Sequence, residues 1–177
     1  FDMLVRTPGL PTAKILEKNP YVADKITSGT NEFFKAVTTK NIIGVTGTKG
    51  KGTTSTLIAK ILNASGQRVF LGGNIGVPAL SFIEEVAADD WVVLELSSFQ
   101  LSDINYAPHI AVCLMVVPEH LNWHTDFPDY LAAKSRLFSH QTETDIAIYY
   151  ADNEDSHTVA SNSPGDKITY YAPPGAY

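Results

Sequence analysis

From about residue 41 the chain alternates short runs of Val, Ile and Leu with longer stretches whose apolar residues recur every three or four positions. Continuous apolar runs of this kind predict strands buried on both faces, and the recurring pattern predicts helices. Strands are expected at 41–46, 68–71, 91–96, 110–116 and 145–150, with a weaker one at 167–171. Helices are expected at 53–65, 78–87, 127–140 and 154–160. The first places Leu57, Ile58, Ile61 and Leu62 on one face and ends near Gly66. The third starts at Asp126 and Pro128 and carries the stripe Tyr130, Leu131, Leu137 and Phe138. Strands alternating with helices predict an α/β fold, a mostly parallel sheet with helices on both faces. Ahead of it, the apolar run Phe1–Val5 stops at the turn Arg6-Thr7-Pro8-Gly9, and short helices are expected at 12–18 and 30–37. From Ser161 onward, with Pro173-Pro174-Gly175, the chain reads as loop-rich.

Composition narrows the partners. With 44% hydrophobic and 18% charged residues among 177, the chain can bury a core. A net charge of −6 argues against a nucleic-acid partner, because phosphate backbones select basic surfaces. No apolar run reaches the length of a membrane span, and no basic-then-apolar leader is visible. The single Cys113 lies in the run Ile110–Met115 and reads as a buried, inert thiol of a reducing cytoplasm.

In a parallel sheet the ligand sits beyond the carboxyl ends of the strands, so the chemistry should follow residues 46, 71, 96 and 116. The first of these exits is Gly47-Thr48-Lys49-Gly50-Lys51-Gly52-Thr53-Thr54. A glycine-rich turn between a strand and a helix turns backbone N–H groups toward an anion, and the helix N-terminus adds partial positive charge. Lys51 would supply a point charge for β/γ-phosphate oxygens. The standard loop has Ser or Thr after its lysine to hold Mg2+; here Gly52 stands there and Thr53 and Thr54 follow. The second exit, Gly72-Gly73-Asn74-Ile75-Gly76, permits close backbone approach, and Asn74 offers a donor and an acceptor. The third holds Glu95 near the end of an apolar strand, followed by Ser97-Ser98-Phe99-Gln100. A carboxylate there reads either as a Mg2+ ligand or as a salt-bridged strand end. The fourth carries His120, close to where substrate should lie, and His124, read as an ordinary polar contact. Lys134 falls inside the apolar stripe of its helix. It either snorkels outward or stays buried with a lowered pKa, and a neutral amine can react with CO2 to give a metal-binding carbamate.

These motifs, in this order, resemble the Mur ligases of peptidoglycan synthesis. The carrying residues are Gly47–Lys51, Gly72–Leu80, Leu94-Glu95-Leu96-Ser97-Ser98-Phe99-Gln100-Leu101, Glu119-His120 and Tyr130-Leu131-Ala132-Ala133-Lys134. The Leu94–Leu101 run is most like the D-glutamate-adding member, and Arg6–Gly9 is similar to the end of that family's UDP-binding domain. The resemblance implies a P-loop NTPase-like central domain that binds ATP and Mg2+ in the cytoplasm. Residues 1–40 would then be the end of a UDP-binding domain with its linker, and 41–177 part of the ATP-binding domain. The C-terminal domain would be absent, making the chain part of a longer protein and inactive alone. The implied reaction joins D-glutamate to UDP-N-acetylmuramoyl-L-alanine through an acyl phosphate. Gly47–Thr54 would hold the nucleotide, and Lys51, Glu95, His120 and Lys134 would be catalytic. The first Mg2+ would fall to Thr53 and Glu95, and the second to His120 and carbamylated Lys134. Gly73, Asn74 and Ser97 would contact substrate. Met115 and Glu119 replace the family's common asparagine and aspartate, and Lys51-Gly52-Thr53 is more like folylpolyglutamate synthase. A folate-directed ligase and a non-catalytic nucleotide-binding module are the alternatives.

Overall fold

The computed structural model describes residues 1–171. Two short parallel strands open the chain, β1 (Leu4–Arg6) and β2 (Ile26–Ser28), separated by α1 (Thr12–Lys18) and a 3-10 helix (Pro20–Lys25). Next comes α2 (Gly29–Ala36), capped by the Ser28 hydroxyl, which accepts the Asn31 N–H. The main body then runs β3 (Ile42–Thr46), α3 (Lys51–Ala64), β4 (Val69–Gly73), a 3-10 helix (Ala79–Glu85) and β5 (Trp91–Glu95). It continues with α4 (Ser98–Leu101), β6 (Ile110–Cys113), α5 (Phe127–Ser139), β7 (Ile146–Tyr150), α6 (Glu154–Ala160) and β8 (Asp166–Tyr170).

The six strands lie in the order β4-β5-β3-β6-β7-β8, and every neighbouring pair is parallel. The chain leaves β3 toward β4 on one side and leaves β6 toward β7 on the other. The order therefore reverses between β3 and β6, the place where parallel sheets of this kind take their ligands beyond the strand ends. Alternate residues of the central strands face different cores. Ile42, Val92, Leu94, Ala111 and Cys113 join Phe33, Phe82, Tyr130, Leu137, Phe138 and Val159 in the larger one, beneath α2, α5 and α6. Ile43, Val45, Val93 and Val112 join Ala59 in the smaller one, beneath α3. At roughly 1.5–3 kcal/mol per fully buried large side chain, this packing makes the strand ends a rigid platform. Among the described residues no helix is long and apolar enough to cross a membrane.

Each expected strand is present, with informative differences. β6 stops at Cys113 instead of 116 because the following segment leaves the ladder to embrace the 47–51 turn. The Met115 carbonyl accepts the Thr48 N–H at 2.9 Å, and the Val117 N–H donates to Thr48 Oγ1 at 3.0 Å. α3 begins at Lys51 because Gly50, at φ +84°, supplies the left-handed entry. Its buried face centres on Ser55 and Ala59, with Ile58 and Leu62 partly packed. The single apolar face expected there is thus corrected: Leu57 is 54% and Ile61 67% exposed. The helix expected at 78–87 is the shorter 3-10 turn 79–85. β2, α4 and the 20–25 turn carry too few residues to show a period, and the sequence reading missed them. β8, Asp166–Tyr170, is the weaker strand expected at 167–171, inside an otherwise loop-rich stretch, while Pro173-Pro174-Gly175 lies outside the described residues.

The N-terminal piece is fastened to the body by Arg6, a residue the sequence reading left in a turn. Its side chain is fully buried and reaches both carboxylate oxygens of Asp103, at 2.5 and 2.6 Å. It also donates to the Phe99 carbonyl and to Ser102 Oγ, each at 2.9 Å.

Candidate active site

The turn after β3 is shaped by its contact with the β6 exit. Gly47 has φ +136°, and a Cβ there would fall 2.7 Å from Leu114 Cβ, so only glycine lets the two segments lie this close. Thr48 is buried and its hydroxyl is fully engaged. It donates to the Val117 carbonyl at 3.0 Å, accepts the Val117 N–H at 3.0 Å, and meets the Tyr130 hydroxyl at 2.9 Å. Because the single Thr48 proton goes to Val117, Tyr130 is the donor to Thr48. Lys51 opens α3 and folds back on the turn, donating to the Gly47 carbonyl at 3.2 Å and the Thr48 carbonyl at 3.0 Å. Burial pulls its pKa below the ordinary lysine value, against the opposing fields of Glu95 and Glu119. Lys49 projects outward and forms an ion pair with Glu119. That pair is the main reason the Glu119 carboxyl titrates below the usual range.

Glu95 closes the other side. It is buried at the end of β5, and among the described residues no salt bridge reaches it. The salt-bridged strand end considered from sequence is therefore not what forms. Its Oε1 accepts the Asn74 side-chain N–H at 2.8 Å, and its carbonyl accepts the Asn74 backbone N–H at 2.8 Å. Oε2 lies 3.0 Å from where a Gly52 Cβ would be. The carboxylate thus approaches the space that a Ser or Thr would fill at this point of a standard phosphate loop. Thr53 is exposed and lines a shallow hollow with Thr56, Leu57, Lys60 and Ile75. Gly73 makes the Asn74–Glu95 contact possible: at φ +102°, any Cβ would sit 2.2 Å from the Glu95 carbonyl oxygen. Gly73 and Asn74 also line a cavity of about 380 Å3, with Arg6, Thr30, Leu96 and Gln100 among its walls. Ser97 caps α4 instead: its hydroxyl accepts the Gln100 N–H at 3.4 Å and donates to Gln100 Oε1 at 3.0 Å.

Lys134 does not snorkel. It is 1% exposed, and its Nζ donates to the Gly47 carbonyl at 2.8 Å and sits 4.5 Å from the Tyr130 ring centroid. Burial, aided by the nearby Lys51 charge, lowers its pKa to about 7. His120 takes a left-handed backbone (φ +58°) and rests its ring 4.8 Å from that of Phe99. Its Nε2 is 3.5 Å from the Glu119 carboxylate. His124 is a buried bridge. Nδ1 donates to Asp129 at 3.1 Å, leaving Nε2 to accept from the Ser98 hydroxyl at 3.0 Å, and burial holds its pKa down. Cys113 is buried, with its thiol pushed up to about 11 by desolvation.

A family model described as the Mur ligase middle domain matches residues 45–174. The chain belongs to the Mur ligase family. A UDP-N-acetylmuramoylalanine–D-glutamate ligase from Streptococcus pyogenes (serotype M5, strain Manfredo) is 40% identical over 171 residues, covering 96% of this chain and 38% of that protein. The chain thus spans about two-fifths of the length of the curated relatives it matches. Among solved structures, MurF ligase from Thermotoga maritima in complex with ADP superposes with TM-score 0.62 at 23% identity, over 83% of this chain and 38% of that one. E. coli FolC in complex with DHPP and ADP superposes with TM-score 0.57 at 17% identity, over 93% of this chain and 52% of that one. At such identities the superpositions establish a shared fold.

Within this Mur ligase domain the phosphate turn, Glu95, Asn74, His120 and Lys134 all surround the reversal between β3 and β6 or its immediate neighbours. Lys51 and Lys134 converge on one carbonyl, that of Gly47. Among the described residues no three His, Cys, Asp or Glu side chains gather as a metal-binding group. Any cation here would rest on Glu95, phosphate oxygens and a modified lysine. The donor set fits Mg2+ in kind: a buried carboxylate without a cationic partner lies against the first turn of a helix that follows a phosphate-type loop. The sequence reading missed Tyr130 as a tether, counting it only as core, and missed Gln100 as a cavity wall. Tyr130 had a visible signal, its four-residue spacing from Lys134.

Proposed function

We propose that the full-length protein containing this chain is an ATP-dependent amide-forming ligase that adds D-glutamate to UDP-N-acetylmuramoyl-L-alanine. The observation that carries this reading is the meeting of the Lys51 turn with the buried Glu95 carboxylate at Gly52, beside a cavity floored by Gly73 and Asn74. The printed activity of the 40%-identical relatives supports the choice of substrates. Residues 1–40 belong to the end of a UDP-binding domain and its linker, and 41–177 to the ATP-binding domain. The protein works in the cytoplasm on small molecules, with neither nucleic acid nor membrane as partner.

Bound Mg-ATP would supply a phosphoryl group to the acceptor carboxylate with release of ADP, and the D-glutamate amine would displace phosphate from the acyl phosphate, losing a proton, to leave an amide. The chain's own residues prepare for it. The Gly47–Thr54 turn presents N–H groups to the phosphates, and Lys51 exchanges the Gly47 and Thr48 carbonyls for phosphate oxygens. Glu95, with Thr53, would hold a first Mg2+, and Asn74 holds the Glu95 carboxylate in orientation. Lys134 is kept reactive by burial. Its neutral amine would add CO2 with loss of a proton to solvent, and the resulting carbamate would stand with His120 as ligand set for a second Mg2+. Gly73 and Asn74 shape the acceptor side.

The test is ADP release by the full-length protein with two acceptor pairs. Turnover with UDP-N-acetylmuramoyl-L-alanine plus D-glutamate is expected. Turnover only with a folate plus glutamate would assign the alternative ligase, and Mg-ATP binding without turnover would leave a nucleotide-binding module. The 177-residue chain alone should bind Mg-ATP and form no amide.

A further inference from the structure

Both lysines of the phosphate turn are engaged with protein oxygens. Lys51 lies on the Gly47 and Thr48 carbonyls, at 3.2 and 3.0 Å. Lys49 crosses from the tip of the turn to Glu119, on the segment that leaves β6. The two partners are unequal in exposure, 70% for the Lys49 side chain and 27% for Glu119. Glu119 presents its other oxygen 3.5 Å from His120 Nε2, and its charge is felt at Lys51. One carboxylate therefore stands among Lys49, Lys51 and the His120 ring, groups that a nucleotide's phosphates would meet on entering.

An ion pair held by a long, exposed lysine is weak, because solvent screens it and rotamer freedom opposes it. A polyphosphate carries several negative charges and outcompetes a single carboxylate for an ammonium. The same polyphosphate repels Glu119. We propose that Glu119 is an internal stand-in for phosphate: it holds Lys49 while the site is empty and yields it to the nucleotide when ATP enters. Lys49 thereby becomes a second phosphate-binding lysine beside Lys51. This inference rests on the nucleotide-site reading above and deepens it.

Opposite signs distinguish a reserve ligand from a structural strap. Calorimetric titration of the 177-residue chain with Mg-ATP would compare wild type, Lys49→Met, Glu119→Gln and the exchanged pair Lys49→Glu/Glu119→Lys. Circular dichroism would establish that each is folded. Loss of the Lys49 ammonium should weaken binding about tenfold, the effect of one charge-assisted contact. Glu119→Gln should instead tighten binding by roughly threefold or more, as a competing anion is removed. The exchanged pair should bind at least as weakly as Lys49→Met. Equal weakening by both single variants, no effect of either, or wild-type affinity in the exchanged pair would overturn the proposal while leaving the nucleotide site intact. Absence of Mg-ATP binding by wild type would overturn both.

Discussion

Replacing Lys134 with methionine asks whether this fold holds a neutral amine. The side chain is 1% exposed, and burial plus the Lys51 charge lowers its pKa from 10.5 to about 7. Unfolding restores the ordinary value. Between those two pH values the unfolded chain carries a proton that the folded chain lacks, so stability rises with pH across that window. Below about pH 7 the folded state bears the whole cost of a buried ammonium. At about 1.4 kcal/mol per pKa unit, that cost has a ceiling of ~5 kcal/mol. Methionine keeps most of the volume and removes the titration. It also removes the hydrogen bond to Gly47 and the contact with the Tyr130 ring, so its absolute stability is not the readout. The readout is the gap between variant and wild type at two pH values, in which the titrating groups that do not feel the Lys134 charge cancel. Urea unfolding at about pH 6 and about pH 9.5, in bicarbonate-free buffer, should show wild type gaining up to ~3 kcal/mol relative to the variant at the higher pH. That corresponds to a relative midpoint shift of roughly 1–2 M. A gap that is the same at both pH values would refute the neutral amine, and with it the basis for carbamylation.

Gly73→Ala should lower stability by ~2–4 kcal/mol and abolish Mg-ATP binding. Its Cβ would drive the end of β4 away from the Glu95 carbonyl and carry Asn74 with it. Gly9→Ala, with open space around it, is the matched control, and equal melting of the two variants would count against the account. Tyr130→Phe keeps the ring beside Lys134 and deletes one buried hydrogen bond, worth ~1 kcal/mol. Thermal unfolding should fall by roughly 2–4 °C. Thr48→Ala should fall further, since it strips the partner from both the Val117 N–H and carbonyl; an unmoved transition in both would show that the tether carries no load.

How much of this was legible in advance depended on range. The central strands β3, β5 and β6 announced themselves because each is a short, nearly continuous apolar run, the pattern of a strand buried on both faces. The glycine-rich turn after β3 was equally plain, since Gly47 and Gly50 adopt positive φ that other residues resist, and local sequence records that need. Lys134 stood out as a charge inside an apolar stripe. What it does there did not, because snorkelling and burial share one pattern. The choice was made by the packing of α5 on the turn, which leaves the amine no route to water. Ser97 was visible as a polar residue at a strand exit, but its commitment to the α4 cap depends on how the chain turns after β5.

The amino-acid order by itself determined the α/β architecture, the place of the phosphate turn and the family. These follow from periodicity and backbone conformation, properties of neighbours along the chain. Tertiary structure alone decided that Glu95 approaches Gly52, that Arg6 fastens the N-terminal piece to Asp103, and that Lys49 is held by Glu119. Each of these joins residues far apart in sequence, and no local pattern encodes a distance that only the closed sheet sets.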